Sequence, residues 1–369
     1  MSAVGGVIRS EIATLAAYHV QDAAGYIKLD AMENPFPLPD GLREGLATHL
    51  SKVAVNRYPD PAAVALTKAL RNAMGIPKEL DILLGNGSDE IIQMLAMACA
   101  KPGAKLLSVE PAFVMFKMIA TFCGMTYVGV PLRAADFRLD ADAMLAAITE
   151  HQPALTFLAY PNNPTGNLFD REDVRRIIRA SLGLVVIDEA YFAFSSQSFL
   201  DEISQLPNAV LMRTVSKLGL AGARLGVLIG RRAWLAEVDK VRLPYNINSF
   251  TQTAATFLLE NIGEFIAQTK VLVAERTAMA ASLSRLFARF PGTLCFPSEA
   301  NFVLIRVPDA AAVFAALKAR KILVKNTSQS HTLMQDTLRI TIGSPAENAT
   351  FLTALTSILE SQYAYLRSP

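Results

Sequence analysis

Arg213-Thr-Val-Ser216-Lys217-Leu-Gly-Leu-Ala-Gly-Ala-Arg224-Leu-Gly226 is a basic, hydroxylated stretch set between two apolar segments, and its reading decides the fold. The flanking glycines let backbone approach a ligand, so Lys217 stands where a lysine amine forms a Schiff base with an aldehyde. Taken alone, the stretch reads better as an exposed turn between a strand and a helix. Two stretches upstream add weight to the first reading: Pro161-Asn-Asn163-Pro-Thr-Gly166, and Val185-Val-Ile-Asp188-Glu-Ala-Tyr191 at the end of an apolar run.

Outward from there, short apolar runs alternate with longer amphipathic ones. Strand candidates are Ile82-Leu-Leu84, Lys105 to Val109, Thr126 to Val130, Leu155 to Ala159, Leu184 to Ile187, Val210 to Arg213 and Gly226 to Ile229. Helix-length segments lie between several of them, notably 140 to 150 and 170 to 181. That alternation predicts an α/β fold with a mostly parallel sheet and helices on both faces. Ligands of such sheets bind beyond the carboxyl ends of the strands, where most of the quoted stretches fall.

The chain divides into three expected parts. Residues 1–40 form an N-terminal arm, whose Pro-Phe-Pro-Leu-Pro39 run forbids a helix. Residues 41–250 form the large domain, and 251–369 hold a long connector helix, about 250 to 288, and a small α+β domain. Strands near 301–307, 322–325 and 337–342, and helices near 309–320 and 345–362, are expected in that last part.

Composition narrows the function. The 369 residues are 52% hydrophobic, which requires a sizeable core, and 35 basic residues nearly balance 33 acidic ones. An even charge without runs implies neither a nucleic-acid nor a membrane partner. Cys99, Cys123 and Cys295 lie far apart in apolar stretches and read as buried thiols of a reducing, cytoplasmic setting. The four histidines lack the spacing of a metal helix, so no metal is expected.

A pyridoxal phosphate enzyme needs an acidic residue at the pyridine nitrogen, donors for the ring oxygen and an anion site for the phosphate. Asp188, at the end of a buried strand, suits the nitrogen, although a helix cap is the commoner use of Asp there. Asn163 and Tyr191 suit the ring oxygen; turn chemistry and core packing are their alternatives. Gly87-Ser88-Asp89 opens a helix whose free N–H groups attract anions, and Ser216 and Arg224 add a hydroxyl and a guanidinium. Phe113, after Pro111-Ala, is placed to stack on the ring or simply to fill core.

In order and interval, Asn163-Pro-Thr-Gly166, Asp188-Glu-Ala-Tyr191 and Ser216-Lys217 with Arg224 resemble the fold-type I aminotransferases over nearly the whole chain. Asn56-Arg57-Tyr58-Pro-Asp60, the doublet Asn162-Asn163, Pro244-Tyr245-Asn246, Asn301-Phe302 and Leu338-Arg339-Ile-Thr-Ile-Gly343 are similar to the histidinol-phosphate aminotransferase family. The resemblance implies that Lys217 is both Schiff-base lysine and proton carrier, with Asp188 and Tyr191 also in catalysis. It implies ping-pong transfer between glutamate and imidazole acetol phosphate, and a homodimer in which Tyr58 reaches the neighbouring subunit's cofactor. Arg339 would receive the glutamate carboxylate in a two-pronged match, its alternative being an exposed strand arginine.

Two positions depart from that family. Lys325 stands where an arginine that meets the substrate phosphate is frequent, which shifts weight to Tyr18 and Asn34 of the arm. Phe113 stands where a tyrosine is frequent. These departures leave two neighbouring activities open: an aminotransferase for aromatic amino acids, and a phosphothreonine-type decarboxylase on the same fold.

Overall fold

The computed structural model describes residues 7–17 and 21–362. Its strands in chain order are β1 (Ile27–Leu29), β2 (Asp81–Asn86), β3 (Lys105–Glu110), β4 (Thr126–Pro131), β5 (Leu155–Ala159) and β6 (Leu184–Asp188). They continue with β7 (Ala209–Thr214), β8 (Leu225–Gly230), β9 (Leu294–Cys295), β10 (Phe302–Arg306), β11 (Ile322–Asn326) and β12 (Thr337–Thr341).

Seven of these make one sheet in the order β2-β8-β7-β6-β5-β3-β4. The neighbours pair in parallel except at β8, which is antiparallel to both β2 and β7. Two reversals restore direction, so β2, β5, β6 and β7 all end at the same edge of the sheet. The sheet is buried on both faces. Val185 and Ile187 of β6 enter one apolar core, while Leu184 and Val186 enter the other. Period-2 alternation explains why this strand reads as an unbroken apolar run, each such side chain contributing about 1.5–3 kcal/mol on burial.

A second sheet, ordered β1-β11-β12-β10-β9, carries its own core. Within the segment expected as an arm, β1 pairs in parallel with β11 and forms the edge of this sheet. The expected connector is two helices, Ser249–Glu260 and Ile262–Phe287. Asn261 interrupts them with a non-helical backbone (φ −106°, ψ 30°), and its side chain bonds the Phe257 carbonyl as a cap. Cys99, Cys123 and Cys295 are free thiols and half-buried, where full burial was expected. Among the described residues no helix is long and apolar enough to cross a membrane.

Candidate active site

At the common edge of the large sheet, the ends of β5, β6 and β7 and the start of the helix Ser88–Cys99 enclose a pocket. Lys217, Asp188, Asn163, Tyr191, Ser216, Arg224, Ser88, Asp89 and Phe113, all expected from sequence, line it. So do Met32, Pro161 and Thr214, which sequence reading did not single out. Gly87 caps the helix from behind with φ 82°, and a Cβ there would stand 2.5 Å from Arg224 Nη2. Only glycine therefore lets the Arg224 guanidinium lie over this helix start.

Lys217 follows a turn that β7 prepares. Thr214 Oγ1 donates to the Leu225 carbonyl at 3.0 Å and accepts the Ser216 amide at 3.1 Å, fixing the chain just before the lysine. Lys217 Nζ donates to the Ala31 carbonyl at 3.2 Å. Burial, then the neighbouring Arg339 charge, pull its proton affinity down to about 8. An amine tuned in this way is available in neutral, nucleophilic form near physiological pH.

Asp188 is only 5% exposed, and its Oδ1 accepts the Ala190 amide at 3.0 Å. Burial pushes its carboxyl up to about 7 against the pull of that amide, and the charges of Asp89 and Glu189 add to the rise. A buried carboxylate this short of partners suits a cationic N–H opposite it. Burial also raises the Tyr191 phenol, whose ring meets Phe302 edge-on at 5.3 Å between centroids.

At the other end of the pocket the helix Ser88–Cys99 begins without a side-chain cap on its first amides. Arg224 stands over that start and reaches the Asp89 carboxylate at 3.4 Å. Free amides, the Ser216 hydroxyl and a guanidinium together suit an anion. A glycine cradle and an anion seat at one end, a buried carboxylate at the other and a lysine amine between them fit pyridoxal phosphate.

The small sheet closes the site. Arg339, on β12, is 8% exposed and donates to Asn163 Oδ1 at 2.6 Å and to the Asp30 carbonyl at 2.9 Å. Lys325 is its cross-strand partner on β11, so both cations project from the same face of the sheet. The amide of Asn34 is committed to structure. Its Nδ2 donates to the Leu218 carbonyl at 3.2 Å and to Gln268 Oε1 at 2.9 Å, and its Oδ1 accepts the Phe36 amide at 2.9 Å. Tyr58 is 80% exposed, stacked on Tyr245 with centroids 4.6 Å apart, and does not line the pocket. Tyr18 lies outside the described residues.

Met32 and Thr214 gave different signals. Thr214 is legible in hindsight as the neighbour two residues before Ser216. Met32 enters because Thr341 Oγ1 accepts its amide at 2.9 Å and Asn301 Nδ2 donates to its carbonyl at 3.0 Å. Neither partner is near it in sequence.

Fold and site together define a fold-type I pyridoxal-phosphate-dependent transferase. The family described as aminotransferase class I and II matches residues 24–355. A histidinol-phosphate aminotransferase of Burkholderia lata is 55% identical over 350 residues, covering 95% of this chain and 97% of the relative. One from Chromobacterium violaceum is 54% identical over 349 residues, covering 95% and 97%. The chain belongs to the class I and II aminotransferases, and within them to the histidinol-phosphate aminotransferase family. The crystal structure of histidinol-phosphate aminotransferase from Sinorhizobium meliloti in complex with pyridoxal-5'-phosphate superposes with TM-score 0.84 at 23% identity, covering 96% of this chain and 98% of that one. L-threonine-O-3-phosphate decarboxylase from Porphyromonas gingivalis reaches 0.73 at 23% identity, covering 90% and 99%, so likeness at this level speaks for the fold alone.

Proposed function

We propose that this protein is a pyridoxal-phosphate-dependent transaminase that moves an amino group between L-histidinol phosphate and 2-oxoglutarate, yielding imidazole acetol phosphate and glutamate, in histidine biosynthesis. The observation that carries the reading is the buried Lys217 amine lining one pocket with the Asp188 carboxylate, Asn163, Tyr191 and Arg224. Relatives named for this activity at 54–55% identity support the choice of substrate.

Bound pyridoxal phosphate supplies an aldehyde for the amine and a ring that withdraws electrons from the reacting carbon. Lys217 would hold the aldehyde, Asp188 the ring nitrogen, and Asn163 and Tyr191 the ring oxygen, with Phe113 against the ring face. The Gly87-Ser88-Asp89 amides, Ser216 and Arg224 would hold the phosphate. Lys217 Nζ takes and returns the proton at the substrate α-carbon, a role its lowered proton affinity suits. Arg339 orients the glutamate carboxylate, and Lys325, on the same face of the small sheet, offers charge to the substrate phosphate. One site serving two substrates in turn gives ping-pong kinetics.

Two copies would associate as a homodimer in which Tyr58 enters the partner's site. Its 80% exposure beside exposed Leu243 and Tyr245 supports that reading. We divide the chain as arm 1–40, large domain 41–250 and small domain with its connector 251–369, and place it in the cytoplasm, where unpaired cysteines persist as thiols. The test is spectroscopic. The cofactor absorbance of the purified enzyme should bleach with glutamate and with histidinol phosphate but not with phenylalanine. Bleaching by phenylalanine at equal concentration, with no response to histidinol phosphate, would instead establish the aromatic activity.

A further inference from the structure

Behind the pocket, on the opposite side of the sheet's edge, Glu189 and Arg213 form an ion pair with exposures of 0% and 4%. The pleat explains the placement. Asp188 and Thr214 face the pocket, so the residues next to them, Glu189 and Arg213, face away. Arg213 Nε and Nη2 both donate to Glu189 Oε2, at 3.0 and 2.8 Å. Glu189 Oε2 also accepts the Ser198 hydroxyl at 2.9 Å, and its Oε1 accepts the Phe199 amide at 2.7 Å. Arg213 completes its bonds with Ser198 Oγ at 2.9 Å and the Met74 carbonyl at 3.4 Å. Its guanidinium lies 4.5 Å over the ring of Phe192.

Desolvating two charges costs about what their attraction returns, so replacement of such a pair by apolar side chains is commonly neutral or stabilising. Stability therefore does not account for it. Directional bonds do what apolar packing cannot: they fix the ends of two neighbouring strands against sliding. Those ends bear the reacting groups. Glu189 follows Asp188, and its amide donates to the Met212 carbonyl at 2.7 Å. Arg213 precedes Thr214, whose hydroxyl sets the turn before Lys217. Phe192, under the guanidinium, follows Tyr191.

We infer that Glu189 and Arg213 are positioning residues for amine transfer: their buried pair holds the Asp188 carboxylate, the Tyr191 phenol and the Lys217 amine in one fixed arrangement. The inference rests on the transaminase reading above, but its primary test does not need a substrate. In cofactor-free protein, the fraction of Lys217 acylated by an amine-specific reagent, followed by mass spectrometry across pH, reports the lysine's surroundings. Arg339, Arg224, Glu33 and Asp89, the charges acting on that amine, are untouched by the variants.

The Glu189→Leu/Arg213→Met double variant removes both charges and keeps the apolar volume. We expect it to fold, with the Lys217 midpoint about one unit higher because the amine gains access to water. In the loaded enzyme we expect the glutamate half-reaction to slow at least about tenfold, with the dissociation constant for glutamate changed less than about threefold. Arg213→Lys, which keeps the charge but not the fork, should move both readouts part of the way. An unchanged lysine midpoint and half-reaction rate in a folded double variant would overturn the inference; should that variant fail to fold, unchanged values in Arg213→Lys would do the same. A wild-type enzyme inert toward histidinol phosphate would sink the functional reading and leave the lysine titration to decide the pair.

Discussion

Arg339 Nη1 donates to Asn163 Oδ1 at 2.6 Å, so β12 of the small sheet is tied to the loop after β5 by a buried hydrogen bond. The cation proposed to receive a substrate carboxylate is thereby tied to the side chain proposed to hold the cofactor ring. Under that proposal the substrate and cofactor ends of the site are joined by a contact only the folded chain makes.

Histidinol phosphate has no carboxylate and glutamate has two, so Arg339→Ala should discriminate between the half-reactions. We expect kcat/KM for glutamate to fall roughly 10- to 100-fold, the worth of a two-pronged charged hydrogen bond, and that for histidinol phosphate to fall much less. Stopped-flow rates with each donor measure this. Equal losses would assign Arg339 a structural role.

Lys325→Ala should show the mirror image. Removing one partly buried charge from the face shared with Arg339 should raise KM for histidinol phosphate about tenfold and leave that for glutamate nearly unchanged. Unchanged KM for the phosphorylated donor would move phosphate recognition elsewhere.

Lys217→Ala should abolish turnover, because no other amine lines the pocket among the described residues. In cofactor-free wild type the lysine should be acylated with a midpoint near pH 8, since burial and Arg339 disfavour its charged form. A midpoint near the ordinary value of 10.5 would mean a solvated amine.

Asp188 carries a stability cost in the cofactor-free protein. Its folded proton affinity, about 7, lies above its ordinary 3.8, so the native state binds the extra proton between those values. That contribution is fully present below about pH 4 and is lost as pH rises through 7. Asp188→Asn should remove the slope and raise cofactor-free stability at pH 8 by on the order of 1 kcal/mol or more, while transamination falls steeply. Melting temperature against pH for the two proteins provides the check, and identical slopes would contradict it.

Tyr58→Phe should weaken cofactor retention if its hydroxyl reaches the partner's site, and should leave the melting of cofactor-free protein within about 0.5 kcal/mol, as for an exposed side chain. Dialysis followed by cofactor quantitation reads the first effect. Unchanged retention would make Tyr58 merely structural.

The strands around the site were legible because period-2 burial on both faces turns β5, β6 and β7 into largely apolar runs, of which β6 and β7 end on polar residues. Asp188, Ser216 and Lys217 stand at those ends, and the chemistry of each can be named from its residue type and place. Ser88 and Asp89 were legible as a helix start after a glycine. For Asn34 the sequence carried no mark of what its amide meets, since an Asn beside prolines has no local signature of its partners; it meets Leu218 and Gln268. The break at Asn261 also went unread, since Asn is only mildly unfavourable within a helix.

By itself the sequence determined the alternation of elements and the places of Lys217, Asp188 and the Ser88 helix start, because each of these is local: a turn, a strand end, a helix start. Only the tertiary structure decided that Arg339 reaches Asn163 across 176 positions, that Met32 is drawn into the pocket by Thr341, and that Glu189 meets Arg213 behind it. Those contacts join residues far apart in the chain, and no local propensity encodes a distance that exists only after the two sheets have packed.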